Sequence, residues 1–273
     1  GSSFRDPSGF VFEKEGELLR QVNKPYEEEF LMLETSGLLD ELVRDCLVVP
    51  TEQVGLEKAI TGDAIAVLKP ERIPFISYPY EWSFSQLKDA AMLTLDITER
   101  ALAKGMILKD ASAYNVQFVG AKPFLIDTLS FERYREGEPW VAYRQFCQHF
   151  LAPLALMAHV DPRLNSLAKV YIDGVPLDLA SAMLPKSTKW KPALLTHIHM
   201  HSRVGQGEGD GAKDEDEGRG QEGHHGDLAR REHARDHAGD HHPALALGPR
   251  LPCARRRRRR AASRGAGVAG RPA

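Results

Sequence analysis

No phenylalanine, tryptophan, tyrosine, isoleucine or methionine follows residue 203. All 11 Phe, 7 Tyr, 3 Trp and 6 Met residues of this 273-residue chain precede it. A segment without aromatic side chains cannot bury enough apolar surface to offset the entropy of ordering it. Residues 203–273, made largely of Gly, Ala, Arg, His, Asp and Glu, are therefore expected to form a disordered low-complexity tail. Cysteine is scarce as well. Cys46, Cys147 and Cys253 have neither metal-ligand nor disulfide-framework spacing, which points to a reducing, cytoplasmic setting. No apolar run reaches the length of a membrane-spanning helix, so no membrane is expected as a partner. The opening GSSFRDPSG lacks a charged region followed by an apolar core and does not read as a signal peptide. It also lacks an initiator Met, so the chain is expected to begin inside a longer reading frame or with added residues. A formal charge of −2 argues against bulk affinity for nucleic acid. No GxGxxG phosphate loop is present; Asp6-Pro7-Ser8-Gly9 and Gly16 are its nearest substitutes. There is no internal repeat.

What is present centres on residues 108–131, LKDASAYNVQFVGAKPFLIDTLSF. Val116-Gln117-Phe118-Val119 reads as a strand, Gly120-Ala121-Lys122-Pro123 as a turn, and Phe124-Leu125-Ile126 as a second strand delivering Asp127. Asp110 precedes this hairpin, and Asn115 lies five residues beyond Asp110. An acid placed so can orient a hydroxyl. An amide oxygen and a carboxylate at the hairpin's two ends can bind Mg2+, which prefers hard oxygen ligands.

The rest of the chain frames that hairpin. Residues 9–12 and 18–22 alternate as a β-hairpin. A helix follows, with Asn23 as cap, Pro25 in its first turn, and Glu27, Glu28 and Glu29 near its positive end. Short strands are expected at 47–50, 64–68 and 73–78, with a polar connection at 51–63. Ser83-Phe84-Ser85-Gln86 is a capping box. The helix that it starts runs to about Lys104, with Leu87, Ala91, Leu95 and Leu102 on one stripe and Gly105 as its stop. Beyond the central hairpin, 140–159, 164–172 and 177–184 read as helices, the first kinked or divided by Pro153.

This spacing and order resemble the protein-kinase-like fold, in particular its aminoglycoside-phosphotransferase branch. The implied architecture is α+β and two-lobed: a β-rich N-lobe at 4–80, a helical C-lobe at 81–202, and a hinge near residues 78–82. The motif departs from the kinase pattern, with Leu108-Lys109-Asp110 for His-Arg-Asp and Asp127-Thr128-Leu129 for Asp-Phe-Gly. Longer strings, including DPSGFVF, LLRQVN, LKPERIPFISYPYEWSFSQLKDAA and YIDGVPLDLAS, carry a second resemblance. They are similar to the N-terminal region of bacterial class I SAM-dependent methyltransferase proteins, some of them nodulation proteins, over residues 4–202. In that family the region precedes a Rossmann-like domain that binds SAM. No strand, Gly-rich turn and helix of that kind occurs in 204–273, and GQGEGDG at 205–211 has no apolar strand before it. The abrupt loss of periodicity there resembles a shifted reading frame of GC-rich DNA; a natural disordered tail is the alternative.

The kinase resemblance implies roles. Asp110 would orient a substrate hydroxyl, and Asn115 and Asp127 would hold Mg2+ on ATP phosphates. Lys109 would neutralise phosphate charge, or be simply a solvated lysine. Arg20 stands where a phosphate-gripping lysine is usual, with Glu28 or Glu34 as its helix partner; an arginine there favours binding over transfer. Tyr80 and Trp82 would line an adenine pocket, or serve only as packing. His197, His199 and His201 alternate, so on a strand they would face one way as metal ligands; a structural role is the other reading. The arginines from Arg255 through Arg260 are the one place where nucleic acid is expected to bind, with a solvated run as the alternative. Three functions stand open: a nucleotide-binding module serving its own or a separate methyltransferase domain, a non-catalytic substrate-presenting scaffold, and an active small-molecule phosphotransferase.

Overall fold

The computed structural model describes residues 6–202. The expectations for the tail, including its histidines, Cys253 and the arginine run, lie outside these residues. The alternating segment near the start forms β1 (Gly9–Lys14) and β2 (Glu17–Asn23), paired antiparallel with Val11 opposite Arg20. Two short helices follow, α1 (Glu27–Thr35) and α2 (Leu38–Arg44). The chain returns through β3 (Thr51–Val54) and β4 (Ala64–Pro70) to give a sheet of order β1-β2-β4-β3. Leu19, Val22, Leu33, Leu38, Leu42 and Val67 are fully buried beneath it or beside it. Each stabilises the fold by roughly 1.5–3 kcal/mol.

Two strand expectations in this lobe fail for physical reasons. Residues 47–49 form only a bridge to the central hairpin, where Val49 N–H donates to the Leu125 carbonyl at 2.9 Å. The true strand, β3, is a half-exposed edge with little apolar alternation, so it reads as a polar connection. Residues 71–78 hold no strand, and Pro74 and Pro79 remove the donors that a ladder there would need.

The capping box at Ser83 starts α3 (Phe84–Leu102) through reciprocal bonds with Gln86. Its buried face comprises Leu87, Ala90, Ala91, Thr94, Ile97, Thr98 and Ala101. Leu95 and Leu102, expected on the apolar stripe, are about two-fifths exposed (39% and 41%). A row of i+4 steps drifts off the 3.6-residue period, whereas 87, 90, 94, 97 and 101 stay on it. At Gly105 the backbone is left-handed (φ 73°), which stops the helix and turns the chain into β5 (Met106–Leu108). The central hairpin follows as β6 (Val116–Val119) and β7 (Lys122–Leu125), and β8 (Phe131–Arg133) pairs back on β5.

Beyond it lie α4 (Tyr143–Phe146), a π-helical turn (Cys147–Leu151) and α5 (Ala152–His159). Pro153 lacks the N–H that would bond back into the preceding turn, and the widened turn sits just before it. A 3-10 segment (Pro162–Lys169) and α6 (Leu177–Met183) complete this layer. The His197–His201 stretch is helical, so the three histidines do not share one face: His197 and His201, four apart, both pack on the Tyr143 ring, and His199 points elsewhere. His199 is buried between the Ser181 and Thr188 hydroxyls (2.8 and 2.9 Å), and His197 bonds Tyr143. Among the described residues no helix is long and apolar enough to cross a membrane. The architecture is the expected α+β one, a β-rich lobe followed by a helical lobe.

Replacing Ser83 with Ala removes one side of the capping box. It should lower unfolding stability by about 1 kcal/mol in urea titration.

Candidate functional site

The site forms where β2 faces the open end of the β6–β7 hairpin. Ile126 N–H donates to the Asn115 carbonyl at 2.8 Å, which holds Asn115 and the residue before Asp127 side by side. After β7 the chain turns sharply: Leu129 N–H donates to Asp127 Oδ1 at 2.9 Å, and Lys109 N–H to the Ser130 carbonyl at 2.8 Å. That turn directs the Asp127 carboxylate toward the sheet, where it forms an ion pair with Arg20 Nη1. Both side chains are mostly shielded, Arg20 at 15% and Asp127 at 23% exposure. Burial alone would raise the Asp127 carboxyl. The Arg20 charge and hydrogen bond, the Leu129 N–H and the Ser130 hydroxyl outweigh it and hold the carboxyl below the usual range.

Gly9 is part of the same junction. Its φ is 155°, and a Cβ there would lie 2.1 Å from the Gln21 carbonyl oxygen and 2.9 Å from Leu129 Cδ1. Only glycine lets β1 pass this close to the turn after Asp127.

Arg20, Asn115, Asp127 and Thr128 line a cavity of about 480 Å3. Val11, Leu18, Val49 and Leu68 form an apolar wall, and the segment 70–76 forms the rim, with Glu71 and Arg72 the charged residues it adds to the lining. Burial raises the Glu71 carboxyl. The volume suits a small molecule, and the lining sets Arg20 between its apolar cross-strand neighbours Val11 and Leu68. Three of the residues picked out from the sequence therefore meet here.

The others do not. Asp110 is spent on a local turn, its Oδ1 accepting the Ser112 N–H at 2.8 Å, and it does not line the cavity. Lys109 reaches Ser8 Oγ at 3.3 Å and lies 4.7 Å over the buried Tyr26 ring, so its ammonium ties the start of β1 to the hairpin. Glu28 and Glu34 are exposed, and Glu28 lines a separate cavity of about 340 Å3 beside β8. Arg20 takes its carboxylate from Asp127 because β2 faces the hairpin rather than the α1 surface that carries them. Trp82 is a core residue at 3% exposure, edge-on to Phe118 at 5.1 Å. Tyr80 stacks on Tyr78 at 5.4 Å. Neither Tyr80 nor Trp82 lines this cavity, whose lining takes Pro70, Glu71, Arg72, Ile73, Pro74 and Ile76 instead. Thr128, Glu71 and Arg72 went unnoticed; the charged pair beside a proline in KPERIP is the signal that marks the rim.

Magnesium ligation was expected from Asn115 and Asp127. Asp127 already receives donors from Arg20, Leu129 and Ser130, and the Asn115 amide nitrogen faces Ser130 Oγ at 3.5 Å. Among the described residues no group of three or more His, Cys, Asp or Glu side chains could hold a metal ion. The Asp127 bonds from Arg20 and Leu129 both fall on Oδ1, and the Asn115 contact to Ser130 uses its amide nitrogen.

His149 lies behind Asp110. Burial lowers it to about 4, against the pull of Asp110 and Asp173, so it is neutral in the fold. Unfolding lets it take a proton below its ordinary 6.5, so its contribution to stability is lost as pH falls from there toward about 4. Asp127, lowered in the fold, contributes above its ordinary 3.8, and that contribution is lost as pH falls further. Urea midpoints measured from pH 7 downward should therefore fall in two stages. His149→Gln should flatten the first and Asp127→Asn the second. Gly9→Ala should destabilise by roughly 1–3 kcal/mol in the same assay at pH 7.

No family model matches the chain. Residues of the chain are similar to nodulation protein NoeA of Rhizobium meliloti (strain 1021), at 39% identity over 176 residues. The match takes in 64% of this chain and 37% of NoeA, so the chain spans little more than a third of that relative. Among solved structures, one described as the structure of vaccinia related kinase 3 superimposes with a TM-score of 0.32 at 14% identity. That superposition covers 48% of this chain and 46% of the other, too partial to assign a fold.

Proposed function

We propose that residues 6–202 form a kinase-like, nucleotide-binding module of a bacterial SAM-dependent methyltransferase, one that holds its ligand without transferring phosphate. One observation carries this reading: Arg20, Asn115 and Asp127, from separate stretches of chain, line a single cavity while Asp110 does not. The nucleotide phosphates lie at the arginine end, and the base lies against the apolar wall. The element order supports the kinase-like part, and the shared strings over 4–202 support the methyltransferase parent. SAM belongs to the parent's catalytic domain and not to this module, whose partner is that domain. An active small-molecule phosphotransferase is the competing reading. It needs an acid at the ligand, and Asp110 accepts the Ser112 N–H in its own turn, outside the cavity lining.

Thermal unfolding of the chain with ATP or ADP tests this. Ligand at about one hundred times its Kd should stabilise the fold by about 2.7 kcal/mol. No stabilisation by any nucleotide, with or without Mg2+, contradicts the proposal. A phosphoryl transfer that Asp110→Ala abolishes would replace it with the phosphotransferase reading.

A further inference from the structure

We infer that the Arg20 guanidinium stands in for the divalent cation at this site, so that the cavity binds a nucleoside triphosphate without metal. The inference rests on the nucleotide-binding reading and concerns how the phosphates are held. Asp127 is the residue on which a metal site here would be built, and its Oδ1 already accepts from Arg20 and from the Leu129 N–H. A divalent cation bound at that carboxylate would sit beside the like charge of Arg20. Magnesium also demands near-octahedral oxygen ligation and gives up its water reluctantly.

A guanidinium meets the same need differently. It carries five N–H donors in a rigid fork, and Nη1 alone is used on Asp127. The remaining donors can take two phosphate oxygens in parallel, which an arginine does better than a lysine. Asp127 then orients the fork rather than ligating a metal. Arg72 on the rim is a second cation for the outer phosphate. A bridge from carboxylate through cation to phosphate is thereby formed from the protein's own side chains.

Titration calorimetry of the full chain with ATP, in excess EDTA and in Mg2+, tests the inference. The account expects binding in EDTA with an affinity matching that in Mg2+. In EDTA, Arg20→Ala should weaken binding about tenfold or more, the cost of a lost charge-assisted hydrogen bond. Binding that requires Mg2+ overturns the inference and leaves the nucleotide-binding reading intact. Arg20→Ala binding as tightly as the unaltered chain in EDTA also overturns it. No binding in either buffer contradicts the underlying reading, and this inference with it. If Arg20→Ala fails to fold by far-UV circular dichroism, Arg20→Lys replaces it, and the comparison of the two buffers on the unaltered chain decides alone.

Discussion

The ion pair between Arg20 and Asp127 is the constraint on which the arrangement depends. It joins residues 107 apart in sequence and closes the sheet onto the hairpin of the helical lobe. A shielded pair of this kind adds little net stability, since desolvation offsets much of the attraction. Its effect is on specificity: with one partner removed, the other is a shielded charge without compensation, which costs several kcal/mol. The close passage of Gly9 over Leu129 and the Asx turn at Asp127 keep both partners in place.

The same pair determines what the cavity can do. A carboxylate free to ligate metal would suit phosphoryl transfer, but here it is held by a cation from the facing sheet. The acid that might activate a hydroxyl, Asp110, lies in its own turn with His149 behind it. What remains is a pocket lined by Arg20, Asp127, Glu71 and Arg72 together with apolar side chains.

Much of this could be read from residue order. Asn115 and Asp127 were legible because a short hairpin fixes where its two ends lie, and Arg20 because it occupies an inward position on a recognisable strand. Their pairing was not legible, because local spacing says nothing about which carboxylate a distant arginine meets. The aromatic residues misled for a different reason. Trp82 and Tyr80 flank a linker, and an aromatic there packs into a core as readily as it lines a pocket. The half-exposed β3 carries no apolar alternation, and 71–78, with Pro74 inside it and Pro79 just after, mimics a strand by its aromatic and β-branched residues alone. In α3, apolar character put Leu95 and Leu102 on the buried stripe, where the helical period leaves them partly exposed.

A double-mutant cycle on Arg20 and Asp127 tests the central claim most directly. Urea unfolding at pH 7 would be compared for Arg20→Met, Asp127→Asn and the double variant. The account predicts a coupling energy of about 1–3 kcal/mol, the double variant losing less than the sum of the single losses. Additive losses, with no coupling between the two positions, would contradict it.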